Sequence, residues 1–239
     1  MNDPIVIVGA TGAVGRSLAD KLHGAGARLH LIARDAARLA ELADASGAGS
    51  AVADCLDDAA LTEAVRAAGP RIAGLAYCVG SIVMKPLKRA RPEDFAETFA
   101  LNVTGAARAV AAAEPALRSA EGAIVLFSSV AARSGFPNHS VIGSAKAGVE
   151  GLTLALAAEL APVRVNCIAP SLTKSGMAAP ITGNDSMARA IAGQHPLPRL
   201  GEPEDQAALA AFLLSPAAAW MTGQIIGVDG GRSTVRTKG

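Results

Sequence analysis

The chain has very few aromatic residues. Its 239 residues include one tyrosine, one tryptophan and five phenylalanines, 3% of the total, and the lone tyrosine is Tyr77. Any core must therefore be built from small aliphatic side chains, and half of the chain (51%) is hydrophobic with alanine abundant. That balance excludes intrinsic disorder, which needs low hydrophobicity and high net charge. An excess of one charge sign is missing too: 22 Lys+Arg against 21 Asp+Glu leave a net charge of +1. With no basic run beyond Lys88-Arg89-Ala90-Arg91, a nucleic-acid partner is not expected. Cysteine is scarce and scattered (Cys55, Cys78, Cys167), with no CxxC pair. This reads as the buried, reduced thiols of a cytoplasmic protein, with neither a disulfide framework nor a metal site. The opening Met-Asn-Asp-Pro has neither the basic region nor the apolar core of a leader. A membrane span needs about 20 predominantly apolar residues. The charge-free stretch between Asp205 and Asp229 is broken by Pro216, Gly223 and Gly227 and interrupted by Ser215, Thr222 and Gln224. It predicts a helix, a turn and a buried strand, and no membrane partner.

What is present is a regular alternation of short apolar runs and helical patterns. Strands are predicted at Ile5–Val8, Leu29–Ala33, Ala51–Ala53, Ile72–Cys78, Ala123–Phe127, Val163–Ala169 and Ile225–Val228. Continuous apolar runs of this length suit strands buried on both faces of a parallel sheet. Helices are predicted between them at Val14–His23, Ala36–Ala45, Asp58–Ala67, Glu93–Leu117, Val141–Leu160 and Pro203–Leu214. The expected architecture is a Rossmann-type α/β fold: a doubly wound, seven-stranded parallel sheet with helices on both faces. No linker or composition shift divides the chain, so residues 1–239 read as one domain. The least regular stretch, 171–199, follows the sixth strand. Ligands of such sheets bind beyond the carboxyl ends of the strands, so this segment is expected to act as a substrate lid. Lys174, His195 and Arg199 flank it and read as solvated charges, while Met177, Met187 and Met221 read as core or lid residues.

The first strand runs into Gly9-Ala10-Thr11-Gly12-Ala13-Val14-Gly15, a GxxGxxG spacing at the start of a helix. One glycine makes the tight turn, one admits a pyrophosphate close to the backbone, and one lets the helix pack on the sheet. The helix N-terminus offers its free N–H groups to the phosphates. Gly9, Thr11, Gly12, Val14 and Gly15 are therefore candidate cofactor contacts. An NAD site usually carries an acid about 20 residues past the glycines, on the ribose 2′-OH. Here the second strand ends Ile32-Ala33-Arg34, and a guanidinium suits a 2′-phosphate. Arg34 thus predicts NADP(H) over NAD(H). The alternative is that Arg34 is a surface charge and Asp35 supplies the acid.

Along nearly its whole length the chain resembles the compact form of the short-chain dehydrogenase/reductase family. The carrying residues are Asp54-Cys55-Leu56-Asp57, Leu101-Asn102-Val103-Thr104-Gly105, Ser128-Ser129, Lys146 and Asn166-Cys167-Ile168-Ala169-Pro170. The tail adds Arg199-Leu200-Gly201-Glu202-Pro203-Glu204-Asp205, Thr222-Gly223-Gln224 and Val228-Asp229-Gly230-Gly231. The resemblance implies that Asn102, Ser129 and Lys146 are catalytic. It also implies that Asp54, Cys55, Gly80, Pro170, Thr173 and Lys146 contact the cofactor. In the family two long helices and the last strand commonly make homo-dimers or homo-tetramers, a role open here to Val141–Leu160 and Ile225–Val228.

Three departures stand out. The family's middle glycine is Ala13, and its Asn-Asn-Ala-Gly reads Tyr77-Cys78-Val79-Gly80. Most important, the family's Tyr-x-x-x-Lys is broken, because Ile142 stands four residues before Lys146. In the family that tyrosine protonates the carbonyl oxygen as hydride arrives. General acid–base catalysis contributes about 10²–10⁴-fold, and isoleucine has no proton to give. His139, seven residues before Lys146, occupies the place of the tyrosine in the Tyr-x6-Lys of the superfamily's enoyl reductases. It is a candidate acid, an unperturbed imidazole titrating near 6.5. Alternatively His139 sits in the loop before the helix beside Ser140 as N-cap, and Ser129 delivers a proton with a water. Tyr77 ends the fourth strand and reads as a packing residue. Two functions remain open: an NADP(H)-dependent oxidoreductase acting on a carbonyl or activated C=C of a small or thioester-linked substrate, or an NADP(H)-binding protein with little turnover.

Overall fold

A computed structural model describes residues 3–237; Met1 and Asn2, on which the expectation about a leader falls, and Lys238 and Gly239 lie outside the described residues. Seven strands form one parallel sheet: β1 (Ile5–Val8), β2 (Leu29–Ala33), β3 (Gly49–Val52), β4 (Gly74–Tyr77), β5 (Ala123–Phe127), β6 (Arg164–Pro170) and β7 (Ile225–Val228). Their order is β3-β2-β1-β4-β5-β6-β7. The order reverses between β1 and β4, where Val8 lies opposite Tyr77. That reversal opens a crevice at the carboxyl ends of the two strands.

The side-chain alternation of β1 sorts the core into two halves. Val6 and Val8 face Leu61 and Val65 of α3 (Asp58–Arg66) and Ala109, Val110 and Ala113 on α5 (Gly105–Ala120). Ile5 and Ile7 face Leu18 and Leu22 of α1 (Ala13–Gly24), Leu39 of α2 (Ala36–Ser46) and Leu213 of α9 (Pro203–Leu214). Helices thus cover both faces, as the continuous apolar runs require. Alanines at close helix–sheet contacts let the backbones approach without aromatic filler.

The edges differ from expectation. β3 spans residues 49–52 and is mostly exposed, with Val52 58% accessible. β7 is half-buried. Both are outermost in the sheet, so only one side of each has a strand neighbour.

The helix expected over 93–117 is broken. It divides into α4 (Pro92–Phe99), a π turn over Ala100–Thr104, and α5. Two side chains take carbonyls from the helical ladder there: Asn102 Nδ2 donates to Thr98 O at 2.8 Å, and Tyr77 Oη donates to Leu101 O at 2.8 Å. Such competition for backbone acceptors is what a π turn accommodates. The sixth helix, α6 (Ser140–Glu159), is long and apolar enough by composition to cross a membrane, yet it packs on the sheet side occupied by α5. The 171–199 segment contains two short helices, α7 (Ala179–Thr182) and α8 (Asp185–Ala192). Asn184 starts the second, its side chain accepting from Ser186 N and Met187 N.

Candidate active site

At the crevice, Gly9 has φ 84°, a left-handed conformation that favours glycine. A Cβ there would lie 2.9 Å from Val79 Cγ2. A Cβ on Gly15 would overlap the carbonyl oxygen of Gly9. The two glycines therefore let the turn and the first coil of α1 nest together. Gly12 is the N-cap of α1, with no side-chain cap and no acidic residue in the first turn. The N–H groups of Gly9 and Ala10 donate to Ile32 O and that of Gly12 to Gly9 O, so the N–H groups of the first turn of α1 are the ones that form a cradle fitting a pyrophosphate. Thr11 and Val14 line the same turn, half-buried.

At the end of β2 the Arg34 guanidinium is 70% exposed and lies 3.5 Å from Asp54 Oδ2. An exposed pair of this kind is worth at most about 1 kcal/mol, so Arg34 is free to turn to a phosphate. The Asp35 side chain caps α2, its Oδ1 accepting from Arg38 N at 3.1 Å. Arg38, which sequence reasoning passed over, donates through Nη2 to Thr11 O at 2.8 Å. Its side chain bridges α2 to the glycine turn. The only sequence signal was its spacing, one helical turn beyond Arg34. Asp54 Oδ1 accepts from Leu56 N at 3.0 Å. Cys55 is buried next to Tyr77, and burial pushes its thiol pKa up.

Deeper in the crevice, Lys146 of α6 is 8% exposed and donates through Nζ to Phe127 O at 2.9 Å. Burial lowers its pKa to about 8. Asn102 is 2% exposed, and its Oδ1 has no hydrogen-bond partner. A Cβ on Gly80 would lie 3.1 Å from that oxygen and 3.2 Å from Lys146 Nζ. Gly80, Asn102 and Lys146 therefore meet at one point, with an unsatisfied acceptor and a cationic donor facing a position only glycine leaves open. Unsatisfied buried acceptors are uncommon and call for a partner. Ser129 sits at the end of β5, and its Oγ accepts from Ala131 N at 3.2 Å, which leaves its O–H free to donate. The neighbouring Ser128 Oγ is 3.0 Å from both Lys146 O and Glu150 Oε1, tying α6 to β5.

The sequence profile of a family described as enoyl-(acyl carrier protein) reductase matches residues 9–233. A tropinone reductase homolog of Arabidopsis thaliana is 33% identical over 238 residues, covering 95% of this chain and 90% of the relative. A Xanthobacter autotrophicus protein described as inactive 2-(S)-hydroxypropyl-CoM dehydrogenase 2 is 36% identical over 225 residues, covering 88% and 97%. Among solved structures, a short-chain type dehydrogenase/reductase from Mycobacterium ulcerans superposes with a TM-score of 0.92 at 30% identity, covering 99% and 92% of the two chains.

The chain belongs to the short-chain dehydrogenase/reductase family. As a member it shares the NAD(P)-binding Rossmann fold of a family of oxidoreductases, and the cradle and crevice fit that cofactor.

Two features set this family member apart. Ile142 is buried at 4% exposure and has no proton to give. His139, not Ser140, is the N-cap residue of α6, and its side chain makes no cap bond. The preceding Asn138, at φ 65°, turns the chain into the helix, a conformation asparagine tolerates. His139 Nδ1 lies 2.7 Å from Pro137 O. A carbonyl only accepts, so Nδ1 carries the proton of the neutral ring and Nε2 is the free nitrogen. Spacing of seven residues puts His139 and Lys146 on one side of α6, about 10.5 Å apart along its axis. The loop after β4 is pinned nearby, Lys85 N donating to Asn138 O at 2.8 Å.

Around the 171–199 segment Lys174 and Arg199 are exposed, as expected, while His195 is buried. His195 is 5% exposed, its Nε2 2.8 Å from Ser171 Oγ and its Nδ1 2.9 Å from Ile191 O. Lys174 pairs with Glu202, and Arg199 holds Asp205 through two bonds of 2.6 and 2.8 Å. Pro170 closes β6 opposite Val228. The Thr173 hydroxyl donates to Ser171 O and accepts from Gln206 Nε2. Met177 and Met187 are half-exposed on the segment. Tyr77 is 2% exposed, a packing residue as expected.

Proposed function

We propose that the protein is an NADP(H)-dependent oxidoreductase that reduces a carbonyl or an activated C=C bond on a small or thioester-linked substrate. The observation that carries this reading is the meeting of Lys146 Nζ and the orphaned Asn102 Oδ1 at Gly80. The bound nicotinamide supplies hydride. Lys146 holds its ribose, Ser129 donates a hydrogen bond to the substrate oxygen, and the protonated imidazole of His139 delivers a proton through Nε2. Arg34 and Arg38 flank the position of a 2′-phosphate, which favours NADP(H) over NAD(H). The 171–199 segment, with Met177 and Met187 exposed on it, closes over an apolar part of the substrate.

A second reading has its own support. Ile142 in the tyrosine position, and a relative described as inactive, favour an NADP(H)-binding protein with little turnover. Under either reading we place the protein in the cytoplasm as a homo-dimer or homo-tetramer, since α6 leaves Leu154 53% exposed and β7 is an open edge.

The test follows NADPH oxidation against ketones, quinones and enoyl thioesters in wild type, His139→Ala and Ile142→Tyr. We expect slow turnover in wild type and a fall of about 10²-fold or more in His139→Ala. No turnover in wild type with clear turnover in Ile142→Tyr would establish the second reading instead.

A further inference from the structure

A groove of about 640 Å³ opens beside the candidate site, between the segment Arg133–Phe136, the end of the 171–199 segment at Gln194 and His195, and the C-terminal residues Arg232–Thr237. Its lining includes three arginines and no carboxylate. Arg133 is neutralised by Glu150, 2.7 Å away. Arg232 and Arg236 form no ion pair among the described residues.

Arg232 is the informative one. It is half-buried, and burial pushes its guanidinium pKa down. Neutral groups hold it in place: Nη2 donates to Gln194 Oε1 at 2.6 Å, Nη1 donates to Ser171 Oγ at 3.3 Å, and the guanidinium carbon lies 4.6 Å from the centre of the Phe136 ring. The acid that attracts it, Asp229, has its carboxylate tied to Ser233 and to Gly231 N. A guanidinium has five N–H donors in a fixed fork, so three of those on Arg232 remain to be used. Arg236 is exposed, and its Nη1 reaches only backbone carbonyls, at 3.3 and 3.4 Å. With neutral groups as its direct partners and donors to spare, the preoriented guanidinium fork of Arg232 matches an oxyanion with two acceptor oxygens.

We infer that this groove is a binding site for an oxyanion (carboxylate, phosphate or sulfonate) on a small molecule, held by Arg232 and Arg236. The wall Arg133–Phe136 lies in sequence between Ser129 and His139, and the Phe136 ring meets the His139 ring edge-on at 5.4 Å between centres. An anion in the groove therefore sits on the same loop as the reacting groups. The preferred substrate is then a carbonyl compound carrying a negative charge at its far end. That assignment to substrate rests on the oxidoreductase reading; the binding itself does not.

The experiment titrates the protein with acetate, methylphosphonate and methanesulfonate by calorimetry, at constant ionic strength and without nucleotide. Wild type, Arg236→Gln and Arg66→Gln are compared; both arginines are exposed, so both variants keep the fold. Saturable binding of at least one anion is expected, weakened about tenfold or more in Arg236→Gln and unchanged in Arg66→Gln. No saturable binding, wild-type affinity in Arg236→Gln, or an equal loss in Arg66→Gln would overturn the inference. Because no turnover is measured, a protein that binds the anion but never oxidises NADPH keeps this site and loses the oxidoreductase reading.

Discussion

The hydroxyl of Tyr77 donates to the carbonyl oxygen of Leu101 at 2.8 Å, the residue immediately before Asn102. The chain's one tyrosine thus braces the π turn that aims Asn102 into the crevice. Gly105, one turn on, is glycine because a Cβ there would overlap Tyr77 Oη. Burial pushes the phenol pKa far above its usual value, so Tyr77 stays a neutral donor.

Tyr77→Phe should leave the Leu101 carbonyl without this partner. A destabilisation of about 1–3 kcal/mol is expected in urea unfolding. Gly105→Ala should cost a similar amount by overpacking, about 1–3 kcal/mol. Because the overlap is with the hydroxyl, the double variant should be more stable than the sum of the two effects. Additive losses in a double-mutant cycle would show that the two residues do not compete for the same space.

Removing either guanidinium at the end of β2 should discriminate between cofactors. Arg34→Gln is expected to weaken NADPH binding about tenfold or more and to leave NADH binding nearly unchanged, because only NADPH carries the 2′-phosphate. Arg38→Gln should act in the same direction, with some loss of both cofactors, because its bond to Thr11 O also steadies the glycine turn. Fluorescence titration with the two nucleotides reads the difference. A wild-type protein that prefers NADH would refute the role given to Arg34.

Gly15→Ala should abolish nucleotide binding while the sheet survives. The new methyl group meets the Gly9 carbonyl oxygen, so α1 must move off the turn and its N–H groups lose their aim. Circular dichroism should remain native-like while titration shows no saturation with NADPH. Wild-type affinity in this variant would mean that the cradle is not where the phosphates sit.

Lys146 should leave a signature in alkaline solution. Its folded pKa, about 8, lies below the value of 10.5 usual for an exposed lysine. Between those two pH values the unfolded chain holds a proton that the folded chain has lost. The lysine's contribution to stability therefore rises with pH through that window, by roughly 3 kcal/mol in full. The thiols of the half-buried Cys78 and the buried Cys167, pushed up to about 12, act the opposite way above pH 9. The readable quantity is the difference between wild type and Lys146→Met in chemical unfolding at pH 7.5 and 10. An equal pH dependence in both proteins would show that Lys146 keeps an ordinary pKa.

Much of this was legible in the chain itself. The runs Ile5–Val8 and Ala123–Phe127 are continuous and β-branched or aliphatic because both sheet faces are covered, and they named buried strands directly. The turn Gly9–Gly15 was readable because its requirements, a positive φ and a missing Cβ, are met by glycine alone. Arg34 stood out as a candidate because it follows Ala33, which occupies the place of the acid in an NAD site. Elsewhere local pattern misled. The helical periodicity over 93–117 is unbroken in sequence, and one of the two side chains that take carbonyls from its ladder, Tyr77, lies 24 residues upstream of Leu101. His195 looked like a solvated charge because its partner Ser171 lies 24 residues away. β3 looked buried because an edge strand differs from a central one only by its neighbours.

The division follows from the range of the forces involved. Side-chain period, turn chemistry and the identity of Ile142 are local properties, so the sequence alone determined the layered α/β architecture, the tight glycine turn after β1 and the apolar residue one helical turn before Lys146. Which polar atoms are left unpaired depends on what packs against them from distant parts of the chain. Only the tertiary structure could show that Asn102 Oδ1 is orphaned beside Lys146, that Arg38 reaches the glycine turn, and that neutral groups hold the half-buried Arg232.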